Sequence, residues 1–153
     1  MKINLYALRA IYLHEMDRFR RTLTQSVLSP VLTTSLYFIV FGSVIGGYVE
    51  KIDGISYGSY IVPGLLMLTL LTQSISNTSF GIFFPKFNGT IYEILAAPIS
   101  TLEVVLAFVG AGATKTLIVS IIIFITSLFF VDVQVKYPLL MIFLLILVAF
   151  TFA

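Results

Sequence analysis

The sequence predicts an all-α fold: a polytopic transmembrane helical bundle with an N-terminal amphipathic interfacial helix and one short cytoplasmic helix between spans. Three observations carry this. Of 153 residues, 59% are hydrophobic and only 10% charged, with a mean hydropathy of +1.07, against about 25% charged residues in ordinary globular domains. A soluble fold of this length buries only about two thirds of the surface its unfolded chain exposes, too little to hide that much apolar area. Four stretches, 27–48, 57–85, 116–131 and 137–153, hold no charged residue. They are continuous runs, not the alternating segments of about ten residues that build a membrane β-barrel. Backbone groups in lipid must be paired within the segment, which a helix does.

Residues 3–20 form the amphipathic helix. Leu5, Leu8, Tyr12, Met16 and Phe19 recur at spacings of three and four, the spacing of one helical face. Arg18, Arg20 and Arg21 follow as interfacial anchors, where anionic head groups hold basic side chains. The first 26 residues do not read as a signal peptide. They carry five basic residues and two acidic ones, and the long apolar runs come later and repeat.

The spans are placed at residues 28–47, 61–83, 104–131 and 138–153, each measured against the roughly 20 apolar residues that cross the hydrocarbon core. The third begins in or near the head groups, with Lys115 snorkelling toward that side. The fourth runs to the C-terminus without a polar end, and the chain is expected to be the front part of a longer one. Lys and Arg set orientation. Five precede the first span and Lys86 follows the second, while only Lys51 and Lys136 lie in the opposite connections. Six against two places the N-terminus in the cytoplasm. Tyr48, Tyr57, Tyr60 and Tyr137 flank the outer loops, 49–56 and 132–136, as interfacial aromatics.

The cytoplasmic connection 85–101 is more than a hairpin, which needs only a few residues. Asn88-Gly89 marks a turn. Thr90 and Glu93 have capping-box spacing, as do Ser100 and Glu103. Pro98 ends the helix between them. The result is a separate helix at 91–97, about 10 Å long, suited either to docking a soluble partner or to lying as a linker in the head groups.

The chemistry of sites is sparse. The chain has no cysteine and one histidine, His14, so neither a metal cluster nor a catalytic triad is legible. The net charge of +2 does not suggest nucleic-acid binding. Residues 110–116 superficially resemble a phosphate loop, but Val109 and Thr114 stand where the motif requires glycine. Gly110 and its small neighbours read instead as helix-packing residues, as do Gly42 and Gly46 at G-x-x-x-G spacing. The sequons at Asn77 and Asn88 fall inside the membrane and in the cytoplasm. Thr69, Gln73, Ser76 and Asn77 share one face of the second span. Such a face either lines a translocation path or makes interhelical hydrogen bonds. Apart from Lys115, no charged residue lies deep in the membrane, which argues against an ion-coupled carrier.

Several phrases together resemble bacterial ABC transporter permeases of the type-2 (ABC-2) export class, in their N-terminal portion. They are Arg18-Phe19-Arg20-Arg21, Pro30, the run 36–42 (LYFIVFG) with Ile45-Gly46, Tyr60 through Pro63-Gly64, and Glu93 through Pro98 (EILAAP). In order and spacing they cover essentially the whole chain. The resemblance implies a single transmembrane domain of six helices, of which residues 1–153 hold three and part of a fourth. It implies a homodimer in the bacterial inner membrane with separate ABC ATPase subunits, which would bind ATP and Mg; this chain would carry no catalytic residue and no cofactor. By position, 91–97 would be a coupling helix carrying Tyr92, Glu93, Ile94, Leu95, Ala96 and Pro98 to the ATPase. The residues alone leave two rivals: a non-transporting membrane scaffold and a passive channel.

Overall fold

The computed structural model describes residues 4–48, 54–131 and 137–153. The expected positions of Lys2, Lys51 and Lys136, and most of the two outer loops, lie outside these residues. Among the described residues the chain is helical, with no strand. Helix α1 is Leu5–Arg21, α2 Leu23–Tyr37, α3 Tyr57–Phe87, α4 Ile91–Ala96, α5 Thr101–Phe130 and α6 Pro138–Thr151, and a π-helical segment, Phe38–Ile45, continues α2. Three of these stretches are long and apolar enough to cross a membrane: Leu23–Gly42, Tyr57–Phe87 and Thr101–Phe130.

Asn4 caps α1, its side chain accepting from the N–H groups of Tyr6 and Ala7 at 3.2 and 3.3 Å, which satisfies two of the orphan donors of a helix start. The inner face differs from the expected stripe at both ends of the argument. Leu5 is 70% exposed, while Glu15 is buried beside Phe19. A hydrophobic stripe cannot place a carboxylate inward; only a partner on another helix can. A single residue, Thr22, separates α1 from α2. Its hydroxyl and its N–H both turn back to the carbonyls of Arg18 and Phe19, so the amphipathic helix and the first span form one jointed rod.

Beyond Tyr37 the rod widens. Gly46 donates to the Phe41 carbonyl, five residues back, at 3.1 Å, the bonding of a π-helix. A Cβ on Gly46 would strike the Gly42 carbonyl of its own helix. Gly42 meets α3. A Cβ on Gly58 would lie 3.2 Å from the Gly42 Cα and 3.4 Å from Val131.

Helix α5 is the axis of the bundle, touching α1, α2, α3, α6 and the π segment. Its start is a capping box, Ser100 with Glu103, in which the Glu103 carboxylate accepts from the Ser100 N–H at 2.9 Å. Helix α3 runs antiparallel to it, as the pairs Gly58–Val131, Thr78–Gly112 and Gly81–Phe108 show. The buried residues of α3, from Gly58 through Val62, Leu66, Leu70, Ser74 and Thr78 to Gly81, recur at four and then three, a single ridge laid on α5. Two apolar clusters result. One joins Phe19, Phe38, Val62, Leu66, Val119 and Ile123; the other joins Leu70, Ala113, Leu145 and Ala149 of α6. Ser74 also donates to the Ala149 carbonyl at 2.8 Å, tying α6 to α3.

The small residues of α5 set the closest approach. A methyl on Gly112 would collide with the Thr78 hydroxyl. Gly112→Ala is therefore expected to destabilise by about 1–3 kcal/mol, as overpacking does, seen as a lowered thermal midpoint of the purified protein. Adding Thr78→Ala should recover much of that loss; an unchanged midpoint in the double variant would show that this contact does not limit the packing.

Candidate functional site

Both α2 and α3 pack on α5 far more than on each other, and a groove opens between them. Its cavity volume is about 500 Å³, within the range of ligand pockets. From α2 it is lined by Gln25, Ser26, Ser29, Pro30, Thr33, Thr34 and Tyr37; from α3 by Leu68, Thr69, Thr72, Gln73 and Asn77. All but Pro30 and Leu68 carry a hydroxyl or an amide.

The structure thus brings together three of the four polar residues singled out on the second span. Thr69, Gln73 and Asn77 are half-buried on the groove wall, whereas Ser76 is exposed and takes no part in the lining. Asn77 also reaches inward, its amide 3.4 Å from the Thr116 hydroxyl and 3.5 Å from the Gln73 side-chain oxygen. The opposite wall escaped the sequence reading, although its signal is the same. Gln25, Ser29, Thr33 and Tyr37 recur every four residues, one face of a helix. Pro30 has no N–H to give the Ser26 carbonyl, so the backbone of this wall loses one of its usual internal bonds.

At the other end of α3 the chain turns at Gly89, which has φ +79°, a conformation that glycine adopts without strain. Helix α4 follows. The capping box expected at Thr90 and Glu93 does not form. Thr90 is helical at φ −67°, ψ −15°, not extended as an N-cap must be. Its hydroxyl instead donates to the Pro85 carbonyl at 3.3 Å, serving the end of α3. On α4, Tyr92 is 73% and Leu95 59% exposed; Glu93, Ala96 and Pro98 are exposed, and Ile94 is half-buried. This six-residue helix therefore turns one aromatic and one aliphatic side chain outward.

The family model for the ABC-2 type transporter matches residues 6–153. The chain belongs to the ABC-2 type transporter family. It is 40% identical, over 129 residues, to the inner membrane transport permeases YadH of Escherichia coli K12, E. coli O157:H7 and Shigella flexneri. Each match covers 84% of this chain and 50% of the relative, so the chain spans about half the length of the curated relatives it matches. No solved structure matches it.

In this ABC-2 chain α1 and α5 meet at a charged junction. Lys115, the sole charged residue between Glu103 and Asp132, does not snorkel out of the bundle. Its side chain is 5% exposed and its Nζ lies 2.7 Å from Oε2 of Glu15, itself 3% exposed. An ammonium in apolar surroundings is costly unless a carboxylate meets it, and α1 supplies one. Arg18 reaches the same oxygen at 3.0 Å, so it is engaged within the protein, while Arg20 and Arg21 remain exposed. Gly81 of α3 closes over the pair; a Cβ there would stand 3.7 Å from the same oxygen. Along α1 and α5 the contacts keep one order. The Asn4 N–H meets Glu103, Tyr12 donates to Thr114 at 3.1 Å, and Glu15 meets Lys115. Gly110 faces the Tyr12 ring, 3.9 Å from its Cβ position. Helix α1 therefore lies parallel to the first half of α5.

Removing single members of the junction should not be equivalent. Glu15→Gln strands buried Lys115 without a carboxylate, a loss of about 3–5 kcal/mol. Lys115→Met should cost less, because Arg18 still holds Glu15. The double variant should exceed Glu15→Gln in stability. Thermal unfolding of the three purified variants measures this order, and a double variant no better than Glu15→Gln would contradict it.

Proposed function

We propose that this chain is the membrane-spanning permease subunit of an ATP-driven exporter in the bacterial inner membrane, paired with a second copy and with separate ATPase subunits. The observation that carries the reading is α4: a short, outward-facing helix set between two span-length helices. Family membership and the printed names of the relatives support it. The excess of basic residues around α1 and Lys86 supports a cytoplasmic location for α4 and the N-terminus.

In this mechanism the ATPase subunits bind ATP and Mg and supply the energy. The permease makes and breaks no covalent bond. Closure of the ATPase pair presses on α4 through Tyr92, Glu93 and Leu95. Ile94 is half-buried and backs the helix against the bundle. Three residues, Ala97, Pro98 and Ile99, lead from the end of α4 at Ala96 to the N-cap of α5, too short a link to absorb a displacement by flexing. The α5 axis and the helices packed on it move as a body. The groove between α2 and α3 then serves as part of the path, its hydroxyls and amides replacing water around a polar cargo.

The test uses the full-length protein, captured by affinity from its own membranes after cross-linking, with recovered partners assayed for ATP hydrolysis. Wild type should bring down an ATPase. Glu93→Lys combined with Leu95→Asp should lose it while membrane insertion persists. Absence of any ATPase with wild type would remove the transporter mechanism. Equal recovery with both proteins would move the docking surface off α4.

A further inference from the structure

The groove walls carry no charge, and their hydrogen-bonding capacity is unevenly spent. Thr33, Thr69 and Thr72 each donate their hydroxyl proton to the carbonyl four residues back, at 3.0, 2.8 and 2.8 Å. Their oxygens keep lone pairs for a donor arriving from the groove. The Gln73 side-chain oxygen is taken by Asn77, which leaves its –NH₂ as a donor beside them. A ligand that satisfies this wall must both donate and accept. A phosphate or carboxylate brings acceptors alone, and a quaternary ammonium brings neither. A group bearing several hydroxyls brings both. Burying an ion against an uncharged wall would also forfeit its hydration without a counter-charge.

The rim adds a second constraint. Leu28, Leu32 and Leu36 stand one position before Ser29, Thr33 and Tyr37 and are 51%, 61% and 60% exposed. At 1.5 Å per residue this ridge runs about 12 Å along α2, beside the polar stripe and parallel to it. An apolar tail laid on the leucines places its head group in the groove.

We infer that the groove seats an uncharged amphiphile whose head group carries several hydroxyls. The inference rests on reading the groove as part of the cargo path and names the chemistry of that cargo.

The experiment measures binding of tritiated octyl glucoside to the full-length protein in phosphatidylcholine nanodiscs. Octyl glucoside, octyl phosphate and octyltrimethylammonium compete, so that tail length is held constant. A saturable component absent from empty nanodiscs is expected, displaced by unlabelled octyl glucoside and not by the two charged probes. Thr72→Val with Gln73→Leu removes two polar groups and should weaken binding at least about tenfold. Ser79→Ala, on the exposed side of α3, should bind as wild type does. Uptake that stays linear and equal to empty nanodiscs overturns the assignment. So does equal displacement by octyl phosphate, or a double variant that binds like wild type. The outcome is separable from the exporter reading. An ATPase captured through α4 together with linear uptake removes only the ligand assignment, and saturable uptake with no ATPase captured removes only the exporter.

Discussion

A buried ion pair governs the arrangement of this bundle. Glu15 and Lys115 are each almost fully enclosed and meet at 2.7 Å. Neither helix could bury its charge alone, since desolvating one ion costs several kcal/mol. Apolar faces slide past one another at little cost, but two desolvated charges have one acceptable alignment. The pair fixes the register of α1 on α5, and with it the place of the joint at Thr22 from which α2 continues.

Helix α5 does the remaining organising work with small side chains. Ala107, Ala111, Gly112 and Ala113 are buried, and they let α3 approach until the Thr78 hydroxyl rests on Gly112. In lipid the gain comes from van der Waals contact between backbones, since the surroundings are as apolar as the interface. Two helices drawn tightly to one axis do not also close on each other. The groove between α2 and α3 is the geometric remainder of that arrangement, and its polar lining makes the gap compatible with water or a polar guest.

Much of the helical order was legible. Continuous charge-free runs, the turn at Asn88-Gly89 and the box at Ser100 and Glu103 are local signals, and local hydrogen bonding obeys them. The box at Thr90 had the same spacing and a different fate, because the Pro85 carbonyl near the end of α3 competes for that hydroxyl. The inward turn of Glu15 and Lys115 was not legible, because each reads as an interfacial charge until the other is placed beside it, 100 positions away. Ser76 fell outside the groove for a similar reason. Helical spacing defines a face about 100° wide, and only the position of α2 decides which edge of that face is covered. The G-x-x-x-G spacing of Gly42 and Gly46 presumes α-helical phase, whereas the segment Phe38–Ile45 is π-helical.

The Glu103 carboxylate accepts from the N–H of Ser100 at the start of α5 and from the N–H of Asn4 at the start of α1. One side chain is therefore the shared hinge pin of two helix origins. The pin stands seven residues beyond the last residue of α4, Ala96. The two helices rise from that pin as parallel struts, cross-braced further on by Glu15 and Lys115. A turn of α5 about its own axis would have to carry α1 with it or break these contacts.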